Sequence, residues 1–207
     1  PLRVQTENSI YFVSNRCFQR RFFFLPEKQV RQIILNCLAY AAHVHEVEIF
    51  FFVFMSNHFH MGVRAPKLNL HDFMELFQST VATQLNRYWN RSSDFFDERY
   101  RASRILDDVS LREKLCYTVC NPCESNLVRH PDRWPGLSSW EIHGHQRTLV
   151  GRWEDRTEYW RLRRKYPDMT SEEASELATT EYELELAKLP EWEDLDDEEY
   201  RQKVCDC

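Results

Sequence analysis

The spacing of apolar residues along the first 125 positions outlines alternating strands and helices. Residues 9–14 (Ser-Ile-Tyr-Phe-Val-Ser) predict a first strand, 15–21 a polar connection, and 21–24 a short extended piece before Pro26. Val30, Ile33, Ile34, Cys37, Leu38 and Ala41 recur at helical spacing, so a first helix with one buried stripe is expected over 26–43, with Pro26 at its start. Residues 47–54 are apolar on both faces, as in a central strand, and a turn at Ser56-Asn57 sends the chain back as 58–64 in a hairpin. Phe73, Phe77, Val81, Leu85 and Tyr88 mark one stripe of a second helix, which starts beside Asn69 and Asp72 and runs to about Asn90. Residues 101–106 read as a fourth strand. Ser110-Leu111-Arg112-Glu113 is a capping-box pattern for a third helix that must stop before Pro122. The order β-α-β-β-α-β-α predicts an α+β fold of the ferredoxin-like split βαβ plan: an antiparallel sheet with helices on one face and another helix free to cross the other.

From Arg147 onward the pattern turns polar and helical, with Thr170-Ser171-Glu172-Glu173 as another capping box. The expected organisation is one domain over 1–145 and an acidic helical C-terminal extension over 146–207. Charge follows this division. The net charge is −6, but residues 1–150 hold 18 Lys and Arg against 15 Asp and Glu, whereas 151–207 hold 9 against 18. The first part can therefore present a basic groove, although so small a surplus does not by itself imply a polyanionic partner.

A chain of 207 residues with 43% apolar residues can fill a core. Its longest apolar run, 49–55, is far below the roughly twenty residues a bilayer helix needs, and no charged-then-apolar leader opens the chain. The expectation is a soluble, cytoplasmic protein with no membrane partner. Seven irregularly spaced cysteines argue for reduced thiols, with Cys116, Cys120 and Cys123 as helix-packing residues rather than three of four zinc ligands. Trp134 and Trp140 belong to a packed loop. Trp153, Trp160 and Trp192 either anchor a protein partner or a dimer through the acidic tail, or decorate a plain solvated extension.

Candidate chemistry centres on two segments. Met55-Ser56-Asn57-His58-Phe59-His60 puts two imidazoles two residues apart, on one face of a strand, where they can converge on one cation while Phe59 packs behind. Tyr117-Thr118-Val119-Cys120-Asn121-Pro122 sets a phenol and a carboxamide one helical turn apart. On a helical wheel Leu111, Leu115 and Val119 cluster on one side, and Glu113, Lys114, Tyr117 and Asn121 on the other. If that polar side lies over His58 and His60, Asn121 adds an oxygen ligand where the phenol meets the metal. A phenol of pKa about 10 is a poor nucleophile at neutral pH, and a phosphodiester repels oxyanions, so a divalent cation is needed. Two imidazoles and one carboxamide suit Mg²⁺ or Mn²⁺. Lys114 would sit within one turn of the phenol, to assist it or touch phosphate.

These residues resemble the single-tyrosine HUH transposases, specifically the REP-associated tyrosine transposase branch. Met-Ser-Asn-His-Phe-His is similar to that family's Met-Pro-Asn-His-x-His. Ser14-Asn15-Arg16, Asn86-Arg87, Glu98-Arg99-Tyr100-Arg101, and Tyr117 four residues before Asn121-Pro122 follow in the family's order. The resemblance spans about residues 8–140. It implies a metal-dependent single-stranded DNA endonuclease and strand transferase that acts beside a hairpin. Tyr117 would attack one phosphodiester to give a 5′-phosphotyrosine link, and His58, His60 and Asn121 would hold the metal. Arg16, Arg87, Arg99, Arg101 and Arg104 are candidate phosphate contacts by position. After Asn121-Pro122 the family's Val-Arg-Ala-Gly-like segment is replaced by Cys123-Glu124-Ser125-Asn126, which removes a positive charge. The alternative is a non-catalytic or domesticated single-stranded nucleic-acid-binding module. The sheet-borne Lys/Arg-Gly-Phe motif of RNA-recognition folds is missing from the sequence.

Overall fold

The computed structural model describes residues 5–145 and 147–206. Strands β1 (Ile10–Arg16), β2 (Glu48–Met55), β3 (His58–Arg64) and β4 (Arg101–Arg104) form one antiparallel sheet in the order β2-β3-β1-β4. Helix α1 (Lys28–His45) connects β1 to β2, and α2 (Leu70–Tyr88) connects β3 to β4. This is the expected ferredoxin-like plan.

Strand alternation distributes side chains between two cores. Tyr11 and Val13 of β1 and Phe59, Met61 and Val63 of β3 bury with the apolar stripes of α1 and α2. Ile10, Phe50 and Phe51 face the other way, against Leu111, Leu115 and Val119 of α3 (Asp108–Glu124). Gly62 keeps that second face thin: a Cβ there would lie 2.3 Å from the Phe51 ring, so Phe51 rests on the bare backbone of β3.

The third helix departs from expectation at both ends. Its cap is Asp107, whose Oδ1 accepts from Ser110 N at 2.8 Å, so the helix starts a turn earlier than the Ser110 pattern suggested. It also continues past Pro122 to Glu124. Pro122 is buried in the last turn, and only its own missing N–H is lost there.

The extension contains the expected helices α5 (Arg156–Lys165), α6 (Ser171–Leu177, with the Thr170/Glu173 capping box) and α7 (Asp197–Cys205). To these the structure adds a hairpin of β5 (Leu149–Glu154) and β6 (Thr179–Leu184), which lies on α1. Trp153 stacks on Tyr40 with ring centroids 4.2 Å apart. Gly151 allows the close approach, because a Cβ there would lie 2.7 Å from Ala39 Cβ. The chain then crosses the free edge of β2, where Ala187 N donates to Ile49 O at 2.8 Å. Residues 137–139 bond the same edge through Phe54 N to Leu137 O and Ser139 N to Phe52 O, both 2.9 Å, so the outer strand is covered. Leu189, Tyr200 and Val204 finally pack into the core beneath α3. In the same core lies α4 (Trp140–His143), whose buried His143 bonds Phe50 O through Nε2 at 3.1 Å.

Two outcomes follow. Gly62→Ala should cost about 2 kcal/mol, measured by urea denaturation, since buried Phe51 has no free space to move into; an unchanged midpoint would mean Phe51 does not rest there. Burial pushes His143 down to about 4 from 6.5. Below pH 6.5 the unfolded chain therefore takes up a proton that the folded chain refuses, and acidification removes stability. By pH 5 this contribution reaches about 2 kcal/mol. Wild type should lose that much more between pH 7 and 5 than His143→Gln; equal losses would contradict the assignment.

Candidate nuclease site

The register of β1 against β3 pairs Ser14 with His60 and Arg16 with His58, which puts all four on the α3 side of the sheet. The two imidazoles meet edge to face, with centroids 5.0 Å apart. His60 stacks on Phe12 at 5.2 Å, and Tyr117 of α3 stands edge-on to His60 at 5.3 Å and to Phe12 at 6.3 Å. Tyr117 is nonetheless 36% exposed, so its phenol meets solvent beside the imidazoles. Lys114, one turn earlier, holds its ammonium 5.0 Å from the centroid of Phe12 and 5.7 Å from that of Tyr117.

The hydrogen bonds orient His58. Asn57 Nδ2 donates to Arg20 O at 3.2 Å, which turns Asn57 Oδ1 toward His58 Nδ1 at 2.7 Å. Nδ1 must then carry the proton, and Nε2 keeps a free lone pair. Burial, then Arg16, pushes His58 down to about 4. Burial, then His58, Arg16 and Lys114, pushes His60 to about 3. Both rings are neutral at pH 7. His60 Nδ1 and Asn121 Oδ1 are two of nine buried side-chain polar atoms without a hydrogen-bond partner among the described residues. Asn121 lies one turn beyond Tyr117 on α3 and is itself buried.

Beside the imidazoles opens a groove of about 360 Å³, lined by Ser14, Asn15, Arg16, Arg20, Asp97, Glu98, Arg99 and Arg101 together with His58 and His60. Asn15 organises it: its Nδ2 donates to Glu98 O at 3.0 Å, and its Oδ1 accepts from Arg16 N at 2.8 Å. Arg101 faces Glu98 at 4.0 Å, but both side chains are largely exposed and the pair leaves Arg101 available.

Of the basic residues singled out from sequence, Arg16, Arg99, Arg101 and Lys114 converge on this region, and two do not. Arg104 pairs with Tyr11 in the β1–β4 register, on the opposite face of the sheet from Arg101, and donates to Thr6 Oγ1 at 3.3 Å. Arg87 lines a different groove, between α1, α2 and β5. Arg20 is the basic residue that sequence reading missed. It sits in the polar connection after β1 with a positive φ of 55°, and no periodic pattern marks such a position.

Among the described residues no group of three or more His, Cys, Asp and Glu could hold a metal ion, so a metal centre here needs a ligand of another type. Cys120 and Cys123 are free, their thiols pushed up by burial, whereas Cys116 is disulfide-bonded, contrary to the expectation of reduced thiols throughout.

A family model described as IS200-like transposase matches residues 7–115, more than half of the chain, including both histidines and ending two residues before Tyr117. Among solved structures, the REP-associated tyrosine transposase bound to a REP hairpin overlays with a TM-score of 0.59 at 13% identity, covering 70% of this chain and 85% of that one. A candidate transposase from Deinococcus radiodurans (TM-score 0.42, 11% identity, 61% and 96% covered) also matches. So does the tRNA(His) guanylyltransferase of Saccharomyces cerevisiae (TM-score 0.46, 10% identity, 86% and 74% covered). The latter two overlays are too loose to carry an argument. No curated protein matches. At 13% identity the first overlay speaks for the fold alone, but the family match extends the resemblance seen in the motifs to a continuous stretch of chain: this chain belongs to the IS200-like transposase family.

Proposed function

We propose that the protein is a metal-dependent single-stranded DNA endonuclease and strand transferase, with Tyr117 as its nucleophile. The observation that carries this reading is the edge-on packing of the exposed Tyr117 ring against His60, which itself meets His58 edge to face, so that the phenol stands next to two neutral, half-buried imidazoles on one sheet face. Tyr117 Oη would bond to phosphorus as the bond to O3′ breaks, leaving the 5′-phosphate on the tyrosine and a free 3′-OH. The phenol proton passes to solvent, and the 3′ oxygen takes one up. Attack by a 3′-OH on the phosphotyrosine reverses the step and joins strands. Arg16, Arg99 and Arg101, with Arg20, would seat the backbone of the incoming strand, and Lys114 would stand beside the phosphate under attack.

The residues fit a divalent cation of mixed nitrogen and oxygen preference, Mg²⁺ or Mn²⁺. His58 Nε2 and His60 bring uncharged lone pairs, and the Asn121 Oδ1 is a buried acceptor in want of a partner. Bound there, the ion would polarise the phosphate and neutralise developing charge.

The substrate we assign is single-stranded DNA beside a hairpin, in keeping with the hairpin bound by the REP-associated relative. Residues 1–145 would form the nuclease unit and 146–207 an appendage. Among the described residues no helix is long and apolar enough to cross a membrane, and we place the activity in the cytoplasm with the DNA it handles. Of the tail tryptophans, Trp153 packs on Tyr40 and Trp192 on Tyr200, which leaves Trp160 as the exposed one for a partner.

Incubation with a hairpin oligonucleotide carrying a single-stranded flank, in Mn²⁺, should yield a denaturation-resistant adduct that peptide mass spectrometry maps to Tyr117. Tyr117→Phe should lower cleavage by about 10³-fold or more while hairpin binding persists. An adduct surviving that substitution would remove Tyr117 from its role.

A further inference from the structure

The acidic balance of the extension conceals a basic helix. Within α5, Arg156, Arg161, Arg163, Arg164 and Lys165 stand against a single acid, Glu158. Arg156 pairs with Glu154 at 2.7 Å and Arg161 with Glu158 at 2.6 Å. Arg163 donates to Met169 O and Arg164 Nε to Trp160 O, and neither of them nor Lys165 has a carboxylate within ion-pair distance among the described residues. Cations in a last helical turn complement the helix dipole, which accounts for charge there but not for its surroundings. Trp160 is 53% exposed and Tyr166 44% exposed among these cations. Arg156 lies 5.5 Å from the centroid of Trp160, and Lys165 lies 5.1 Å from that of Tyr166. Large aromatics left in water, one under the ion-paired Arg156 and one beside the unpaired Lys165 ammonium, with Arg163 and Arg164 on the same helix, are the elements of a phosphate-and-base surface.

The helix is anchored at its N-terminus and along its apolar face. Asp155 caps it by accepting from Thr157 N and Glu158 N, and Leu162 packs with Ala174, Ala178, Tyr159 and Met169. That packing also decides between polyanions. A helix that inserts into a bilayer surface needs a free apolar face, and the apolar face of α5 is already covered by α6. A second observation points the same way. Where α5 begins, Arg152, which pairs with Glu181 at 3.2 Å, and Arg156, which pairs with Glu154, share with Arg87 a groove of about 720 Å³ that also takes in Trp153, Glu154 and the polar side chains of Thr83 and Gln84, so that three cations line it against one carboxylate. The fold withholds Arg87 from the imidazole groove and sets it on this one.

We propose that α5, together with Arg87 and Arg152, is a second surface for the sugar-phosphate backbone of nucleic acid. It lies over the α1/α2 side of the sheet, away from His58 and His60, and Trp160 supplies a stacking or packing edge. The choice of nucleic acid as the polyanion rests on the function proposed above; the surface itself does not depend on cleavage.

The test is fluorescence anisotropy with the full chain in the Tyr117→Phe background, where no covalent step contributes. The probes are a labelled DNA hairpin with a single-stranded flank, an unpaired oligonucleotide of equal length, and phosphatidylserine vesicles. Arg164→Gln/Lys165→Gln should weaken DNA binding about tenfold and flatten the dependence of log K on log salt by about 2. Glu158→Gln, which frees Arg161, should strengthen binding, a gain that misfolding cannot imitate. Loss confined to the hairpin assigns the surface to a duplex stem, and equal loss on both DNAs assigns it to any backbone. Unchanged affinity and slope would overturn the proposal, as would loss of vesicle binding with DNA binding intact. If wild type forms no adduct yet the α5 variants still change DNA binding, the nuclease reading fails and this one stands.

Discussion

Phe59, fully buried among Phe24, Phe54, Phe77 and Phe96, decides which face of β3 carries the imidazoles. Successive residues of a strand point to opposite faces, so seating Phe59 in the α1/α2 core forces His58 and His60 to the other side. A register slip of one residue would bury both imidazoles in phenylalanine and push Phe59 into the groove, costing apolar burial and desolvating polar rings together. The same alternation in β1 delivers Phe12 beneath His60 and sends Ser14 and Arg16 to the groove.

The second requirement is the pose of α3, which must bring Tyr117 over that face. Its apolar stripe, Leu111, Leu115 and Val119, finds Phe50 and Phe51 below and Leu189, Tyr200 and Val204 from the extension alongside. Arg112 adds an ion pair to Glu191, with Nη1 at 2.7 Å and 2.5 Å from its two carboxylate oxygens. The C-terminal segment is thus part of the packing that positions the helix. It also shares a groove with it, where Tyr117 and Cys120 meet Trp192 and Lys203. This strap carries a run of acidic side chains, Glu191, Glu193, Asp194 and residues 196–199, whereas α5 itself carries one, Glu158.

What could be read from the sequence were features set by short-range periodicity. The two-residue spacing of the histidines, the one-turn spacing of Tyr117 and Asn121, and the stripes of α1 and α2 depend only on strand and helix geometry, and the fold follows from their order. Features set by distant partners were hidden. Thr179–Leu184 alternates as a strand should, but its partner Leu149–Glu154 lies across two intervening helices, and the surrounding glutamates favour a helical reading. Arg87 and Arg104 resemble Arg99 and Arg101 as letters. Only the sheet register and the seat of the hairpin on α1 separate them from the groove. Arg20 was invisible because a left-handed turn, not a periodic element, aims it. The basic character of α5 was averaged away by the acids that follow it.

The proposed metal centre requires two imidazoles and a carboxamide acting together beside Tyr117. The most direct measurement is anomalous diffraction from crystals of the full chain soaked in Mn²⁺. A single manganese peak contacting both His58 and His60, with the Asn121 oxygen as its third protein ligand, is the predicted result. A peak elsewhere, or a peak at the imidazoles that Asn121 does not contact, would contradict it.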